Sequence, residues 1–497
     1  MTDTLMVGVS GVRGIVGKDL TPDVVRRWAA AFGFWVREGT RDGGRGRGLS
    51  DRPTIRPSVV VGRDSRESGA AFAKAVADEL TAVGCDVIDV GLVPTPTIQL
   101  AVEHHRAGGG IAITASHNPI EWNALKFIGP DGIFLDGADG ARVEKLAGKG
   151  GEGRGKAGKV TTDDGAVGRH LQCVLGLPIL DVERIRQCKF RVALDTVRGA
   201  GGPVMRALLE RLGCEVRGIN LETDGQFPRP PEPVPENLAE LSSVVRRCGA
   251  DLGIAVDPDV DRLAIVDESG APIGEDYTLA FAVRAVLGGQ AGRRVVAPSA
   301  PLPAYPPTRL PVVCNLSTSL VVEDAARECG ADVVRTPVGE VHVARAIVRL
   351  AAVIGGEGNG GVMYPALHVG RDAPVAAALA LALLARGAGG GGRGSGGGRR
   401  VGDVVAAAPR YTIVKAKVER GAGSGEQGLK RVYAELRRRF ADAQVDTQDG
   451  LRLAWRDRWL HVRPSNTEPV IRLIAEAPTR VAAEQLVDEG RRLCAAS

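Results

Sequence analysis

One unit recurs three times along this chain, and that repetition limits its folds more than any other feature. PSVVVGRDSRESGAAFAKAVADELTAVGCDVIDVG begins at Pro57, KFRVALDTVRGAGGPVMRALLERLGCEVRGIN at Lys189, and PVVCNLSTSLVVEDAARECGADVVRTPVG at Pro311. Each is a short β-rich run, a polar or Gly-rich turn and an Ala/Leu/Val helix. Gly-Cys or Gly-Ala, an acid and Val then lead into a second strand. Three copies of one βαβ-type unit imply three related α/β domains.

Each copy is followed by a further apolar strand and a loop of unusual chemistry: IAITASHNP, LGIAVDPDVDR and AAVIGGEGNGG. Ligands of α/β sheets collect beyond strand ends, so three equivalent loops are candidates for one shared site. From about residue 401 the pattern changes to strand YTIVKAKVE, helix GLKRVYAELRRRF, strands LRLAW, WLHVRP and VIRLIAEA, and a last helix. The expected architecture is three repeated α/β domains with mixed sheets plus a C-terminal α+β domain, around a central cleft. The domains are placed at 1–155, 156–265, 266–390 and 401–497. A chain of 497 residues suits three or four domains of about 100–200 residues each.

Composition excludes several classes of function. Against 59 acidic residues stand 64 basic ones, and a net charge of +5 is small for this length, so neither nucleic acid nor membrane is implied as a partner. The N-terminus MTDTLMVGVSGVRG lacks a signal-peptide pattern, and the longest apolar stretch, Ala373 to Ala385, is too short to span a bilayer. A cytoplasmic location is expected. Eight cysteines without a CxxC pair read as reduced thiols, neither a disulfide framework nor a zinc site. Nothing in the chain specifies an oligomeric state. Three Gly-rich segments, 39–53, 147–159 and 386–400, read as solvated loops or linkers, the last two as hinges.

The loops differ in chemistry. DPDVDR places Asp257, Asp259 and Asp261 at alternating positions, on one side of an extended segment, where their repulsion is tolerable only with a cation or strong donors among them. An EF-hand is excluded because Arg262 stands where its turn needs glycine and the flanks are strand-like. All-oxygen ligation points to magnesium over zinc. GGEGNGG contains a GxGxxG match from Gly356 to Gly361, but MYPAL follows where a nucleotide-binding helix should start. Glu357 and Asn359 there suit sugar hydroxyls better. GRGKAGKV resembles a Walker loop but has Val160 where a magnesium-binding hydroxyl is required. RPSNTEP offers the guanidinium of Arg463, the hydroxyls of Ser465 and Thr467, the Asn466 amide and backbone N–H groups in one turn, the donors a phosphate needs. In TASHNP, Ser116 taken alone is a turn residue.

Taken together, the four loops change that reading of Ser116. In type and order, TASHNP, DPDVDR, GGEGNGG and RPSNTEP resemble the phosphoserine, metal, sugar and phosphate loops of the alpha-D-phosphohexomutase family, and the resemblance covers essentially the whole chain. It implies that Ser116 is carried as phosphoserine and passes its phosphoryl group to a sugar phosphate. A hexose 1,6-bisphosphate then turns over in the site and returns its other phosphate to the serine. It further implies Mg2+ held by Ser116, Asp257, Asp259 and Asp261, with Lys126 and His117 as acid/base candidates and Arg13 and Arg262 as charge partners. Glu357, Asn359 and Gly339, the last residue of the third copy, are implied as sugar-binding. Arg463, Ser465, Asn466 and Thr467 are implied as phosphate-binding. Three carboxylates and a phosphoserine carry roughly −5, which Mg2+, Arg13, Arg262 and Lys126 offset with about +5.

The sugar loop departs from many members, which carry Ser where this chain has Asn359 and His where it has Gly361. That variant points to glucosamine phosphate as substrate, with glucose or mannose phosphate as the alternative. A serine-dependent sugar phosphatase would need no second phosphate anchor at the far end of its substrate. A silent sugar-phosphate sensor would be expected to lose Ser116 or an aspartate.

Overall fold

The computed structural model describes residues 5–9, 11–41, 56–149, 157–288, 310–386, 398–419, 426–465 and 470–495. Its three repeats are built on one plan. In the first, strand Gly109–Ile113 lies parallel to Ser58–Arg63, which lies parallel to Asp86–Leu92. Leu252–Val256, Arg191–Asp195 and Glu215–Ile219 repeat that order, as do Ile354–Glu357, Pro311–Asn315 and Asp332–Thr336. In each sheet an antiparallel strand returns beside the loop-bearing one: Trp122–Ile128, Leu263–Val266 and Gly361–Met363. The three chemically unusual loops are therefore equivalent hairpin turns at the same corner of three mixed sheets.

The central strands GGIAI, LGIAV and PVVCN are buried at every position. Unbroken apolar runs of this kind belong to strands covered on both faces, which is why they lack alternation.

The first sheet has seven strands. An N-terminal hairpin, Met6–Gly8 with Gly11–Ile15, adds beside Trp122–Ile128 and sets Arg13 opposite Ala124, two residues from Lys126 and so on the same face. At its other edge Val160–Thr162 pairs in parallel with Asp86–Leu92. The first sheet thus takes a strand from beyond the boundary drawn at residue 155. This strand is exposed at all three positions, so no hydrophobic pattern marks it.

The second and third domains share one core. Its centre is helix Ala373–Ala385, buried at every residue, which packs against helices Ala166–Leu175, Val182–Cys188, Gly201–Arg211 and Asp276–Gly288. The longest apolar stretch of the sequence is thus an internal strut between two domains. Truncating Leu381 there would cost about 2–5 kcal/mol. Among the described residues no helix is long and apolar enough to cross a membrane.

The C-terminal domain is a five-stranded antiparallel sheet, in the order Thr412–Glu419, Val470–Ala477, Trp459–Pro464, Leu451–Ala454 and Gln444–Asp446. Helices Glu426–Arg439 and Arg480–Ala495 complete it. Buried Glu476 joins it to the third domain, accepting hydrogen bonds from Leu320 N at 2.8 Å, Trp459 Nε1 at 2.6 Å and Ser319 Oγ. Tyr411 Oη donates to Asp324 at 2.8 Å across the same joint.

Most of the Gly-rich segments lie outside the described residues, and so do the hinges expected in the last two. At their edges, Gly39–Arg41 and Ala147–Lys149 continue helices Pro22–Arg41 and Gly137–Lys149. No cysteine is in a disulfide, and only Cys173 is exposed.

Candidate active site

The first two repeat loops meet directly. Ser116, buried at the turn after Gly109–Ile113, donates from Oγ to Asp257 Oδ2 at 2.8 Å, and His117 Nδ1 lies 3.4 Å from the same Oγ. Ser116 has φ +49° and Val260, between Asp259 and Asp261, φ +61°. The left-handed region disfavours both residues, Val260 most as a β-branched one, so the surrounding structure holds both turns against local preference.

Arg66 holds the serine loop. Fully buried, it donates from Nη2 to Ser116 O and Asn118 O, both at 2.7 Å, and from Nη1 to Pro119 O at 2.7 Å and Trp122 O at 3.0 Å. Its Nε donates to Asp64 Oδ2 at 3.1 Å, which also accepts from Thr114 Oγ1, and Thr114 Oγ1 accepts from Ser116 N. Asp64 is Arg66's counter-charge, and the backbone carbonyls of the loop take the remaining donors.

The acidic loop is buried and surrounded by cations. Lys126 Nζ donates to Asp259 Oδ2 at 2.9 Å, and Thr95 Oγ1 donates to the same oxygen. Arg262 Nη1 lies 3.2 Å from Glu232 Oε1, and Arg262 Nε lies 3.7 Å from Asp261 Oδ1. Arg13 donates to Asn118 Oδ1. Burial, reinforced by Asp261 and Asp259, raises the Asp257 carboxyl well above the carboxylate range. Burial alone would raise Asp259 too, but the Lys126 ammonium and hydrogen bonds from Lys126 and Thr95 hold it far below. The Arg262 guanidinium, then burial and Arg13, press the His117 imidazole down to about 2, leaving a neutral ring beside the serine.

A hard cation fits this loop. One carboxylate oxygen from each of Asp257, Asp259 and Asp261 lies within 4.8 Å of the others. Asp259 Oδ1 and Asp261 Oδ1 are buried without a hydrogen-bond partner, an expensive arrangement unless a cation takes them up. Ser116 Oγ, hydrogen-bonded to Asp257 Oδ2, adds a further oxygen beside this set.

The GGEGNGG loop joins the same network through Arg371, which pairs with both Glu357 and Asp261. Glu357 is buried, accepting at Oε1 from Asn315 Nδ2 at 2.8 Å and from Gly339 N at 3.2 Å. Asn359 Oδ1 accepts from Gly361 N at 3.2 Å, shaping the loop. The turn passes so close to the second domain that a Cβ on Gly360, at φ +87°, would lie 2.5 Å from Leu263 O.

Of the fourth loop, Asn466 and Thr467 lie outside the described residues. Arg463 does not present the open fork that the sequence suggested. It lies buried at the end of strand Trp459–Pro464 with Nη1 2.8 Å from Asp449 Oδ2, because a desolvated guanidinium needs a counter-charge. Asp449 Oδ2 also accepts from Val338 N, next to Gly339, which connects this loop to Glu357. Ser465 N closes the hairpin on Val470 O at 2.9 Å.

Several residues that the sequence did not single out belong to the site: Asp64, Arg66, Thr95, Glu232, Asn315, Glu340 and Arg371. Arg371 is buried against Asp261, Glu357 and Glu340. The charge balance drawn from sequence therefore needs Arg371 and Glu340 added. One signal was available, since Arg371-Asp372 immediately precedes a wholly apolar run, and a charged pair so placed requires buried partners.

Comparison with known proteins agrees with this geometry. The four domains described as Phosphoglucomutase/phosphomannomutase alpha/beta/alpha domains I, II and III and C-terminal domain match residues 4–154, 169–270, 300–395 and 413–493. A phosphoglucomutase/phosphomannomutase of Thermococcus kodakarensis is 35% identical over 492 residues, 98% of each chain. A probable phosphoglucosamine mutase of Methanopyrus kandleri is 36% identical over 485 residues, covering 97% of this chain and 96% of its own. The crystal structure of a phosphoglucomutase/phosphomannomutase family protein from Burkholderia thailandensis superposes with TM-score 0.78 at 26% identity, over 99% of this chain and 98% of that one. With all four domains matched in order and relatives aligned along nearly its whole length, the chain belongs to the phosphoglucomutase/phosphomannomutase family and is a phosphohexomutase.

Proposed function

We propose that the protein interconverts glucosamine 6-phosphate and glucosamine 1-phosphate through a phosphoserine at Ser116 and a bound hexose 1,6-bisphosphate. The observation that carries the phosphoserine assignment is the buried Ser116 Oγ, 2.8 Å from Asp257 in a loop built for a hard cation. Asn359 and Gly361 in the sugar loop support the amino sugar, as does the Methanopyrus kandleri relative's description as a phosphoglucosamine mutase. The Thermococcus kodakarensis relative supports the second reading, glucose or mannose phosphate handled by the same mechanism. We assign the loops to domains 1–155, 156–265, 266–390 and 401–497, one to each, with strand Val160–Thr162 added to the sheet of the first.

Phosphoryl transfer asks for in-line positioning and neutralised charge more than for covalent chemistry. The sugar hydroxyl attacks the phosphorus, the P–Oγ bond of Ser116 breaks, and the proton lost by the hydroxyl balances the one Oγ gains. We assign the relay of that proton to His117, whose Nδ1 lies 3.4 Å from Oγ, and to Lys126 on the adjoining strand. Arg13, Arg262 and Lys126 set positive charge where the phosphoryl oxygens gather negative charge. A magnesium ion held by Asp257, Asp259, Asp261 and Ser116 would supply further electrostatic stabilisation there. Glu357 and Asn359 orient sugar hydroxyls, Gly339 lends backbone to that loop, and Arg463, Ser465, Asn466 and Thr467 hold the phosphate that is not reacting.

The test is a side-by-side assay of glucosamine 6-phosphate, glucose 1-phosphate and mannose 1-phosphate with catalytic bisphosphate added. The amino sugar should give the highest kcat/KM. A higher value for glucose or mannose phosphate would establish the second reading, and release of inorganic phosphate without isomerisation would overturn both.

A further inference from the structure

Arg371 is gripped by carboxylates from three segments. Its Nη2 donates to Asp261 Oδ2 at 2.6 Å and lies 3.0 Å from Glu340 Oε2, while its Nη1 donates to Glu357 Oε2 at 2.9 Å. The opposite oxygen of each main partner faces a different task. Asp261 Oδ1 is buried within the acidic triad without a hydrogen bond, with Arg262 Nε 3.7 Å away, and Glu357 Oε1 ties together Asn315 and Gly339 N under the sugar loop.

The chain carrying Arg371 is also fixed, through its neighbour Asp372. Asp372 Oδ2 accepts from His170 Nε2 at 2.8 Å and from His368 Nε2 at 3.0 Å, and its Oδ1 accepts from Val375 N as the cap of the central helix. His170 Nδ1 meets Thr97 Oγ1 at 2.8 Å. Thr97 lies on helix Thr95–His105, whose first residue donates to Asp259. Residues of all three repeats thus brace Arg371-Asp372, with Asp259 and Asp261 held at either end.

We infer that Arg371 is a positioning residue that couples the two halves of the site, so that a divalent cation on Asp257, Asp259 and Asp261 and a sugar phosphate on the Glu357 loop each bind more tightly when the other is present. A planar fork spanning two carboxylates has one geometry, and burial leaves no water to take up slack. A cation that takes up Asp261 Oδ1 fixes the plane of that carboxylate, and through Oδ2 and the two Nη groups it fixes Glu357. Linkage makes the effect reciprocal.

The inference rests on the mutase reading of the site, and one experiment separates the two. Mg2+ is titrated calorimetrically into the full-length protein with and without saturating glucosamine 6-phosphate, with glucose 1-phosphate in a parallel series. The titrations are repeated on Arg371→Met and Arg371→Lys, whose melting temperatures are recorded. In the wild type, sugar phosphate should tighten Mg2+ binding at least about fivefold. In both variants the ratio should fall below about twofold, even if each affinity drops, because a lysine cannot span Asp261 and Glu357 as a fork. A role confined to stability would weaken both affinities and leave the ratio unchanged. Should Arg371→Met fail to fold, Arg371→Lys decides alone. A wild-type ratio below twofold, or a wild-type ratio kept by a folded variant, overturns the inference. A wild-type protein that binds neither Mg2+ nor either sugar phosphate overturns the site assignment, and the inference with it.

Discussion

Ser116 Oγ donates to Asp257 Oδ2 over 2.8 Å, although 141 residues separate the two in sequence. The contact joins the hairpin turn of one repeat to the equivalent turn of the next, and it makes the Ser116 hydroxyl part of the acidic pocket. Arg66 and Asp64 hold the serine loop independently of that hydroxyl.

Ser116→Ala should therefore lower turnover by several orders of magnitude while the melting temperature stays within a few degrees of wild type. Intact-mass measurement should find a phosphate adduct on the wild type and none on the variant. Near-normal activity would remove Ser116 as the phosphoryl carrier.

Asp259→Asn removes a ligand charge from the triad and the partner of Lys126 in one step. Activity should fall severely, and calorimetry should show Mg2+ affinity lowered at least tenfold. Excess chelator should abolish wild-type activity and readdition of Mg2+ restore it. Full activity in chelator would contradict the cation site.

Arg463→Ala removes a charge-assisted contact worth roughly 1.5–3 kcal/mol, so KM should rise about 10- to 100-fold. Its buried pairing with Asp449 means that a phosphate must share the guanidinium with that carboxylate, so Asp449→Asn should lower KM or leave it unchanged. Kinetics in both directions, with the 1- and 6-phosphates of one sugar, are the check. A loss confined to one regioisomer would show that Arg463 serves only one phosphate position, contrary to a bisphosphate that reorients over a shared cup.

His461 gives the joint between the third and fourth domains a pH dependence. It is fully buried, with Ser317 Oγ 2.9 Å from Nδ1 and Asp449 O 2.7 Å from Nε2, and burial pushes its imidazole down from 6.5 to about 4. The folded state keeps it neutral while the unfolded chain takes up a proton below about 6.5, so this contribution to stability is complete above that pH. It is lost as pH falls from about 6.5 to 4. Denaturant midpoints measured across that window should drop more steeply for wild type than for His461→Gln. Parallel slopes would count against the assignment.

How much of this was legible in the chain differs from loop to loop. Ser116, the three aspartates, Glu357 and Asn359 each follow an apolar strand of a recurring unit, and the repetition alone marks their loops as equivalent. The three α/β units and the four-domain order follow from the same periodicities, whereas the antiparallel strand that makes each sheet mixed does not. Val160–Thr162 escaped notice because an exposed edge strand carries no hydrophobic alternation. Arg66 and Arg371 escaped it because an arginine in a polar or glycine-rich turn reads as solvated.

By itself, then, the sequence determined three strand-and-helix units, their apolar strands, the chemistry of each loop and the apolar run that became the central helix, because these depend on local periodicity and residue type. Only the tertiary structure decided that Arg66 would spend its donors on the serine loop, that Arg463 would lie against Asp449, and that Arg371 would bridge Asp261 to Glu357. A charged side chain is committed to its partner only when burial removes water as a competitor, and which carboxylate or carbonyl then lies within reach depends on how separate domains pack.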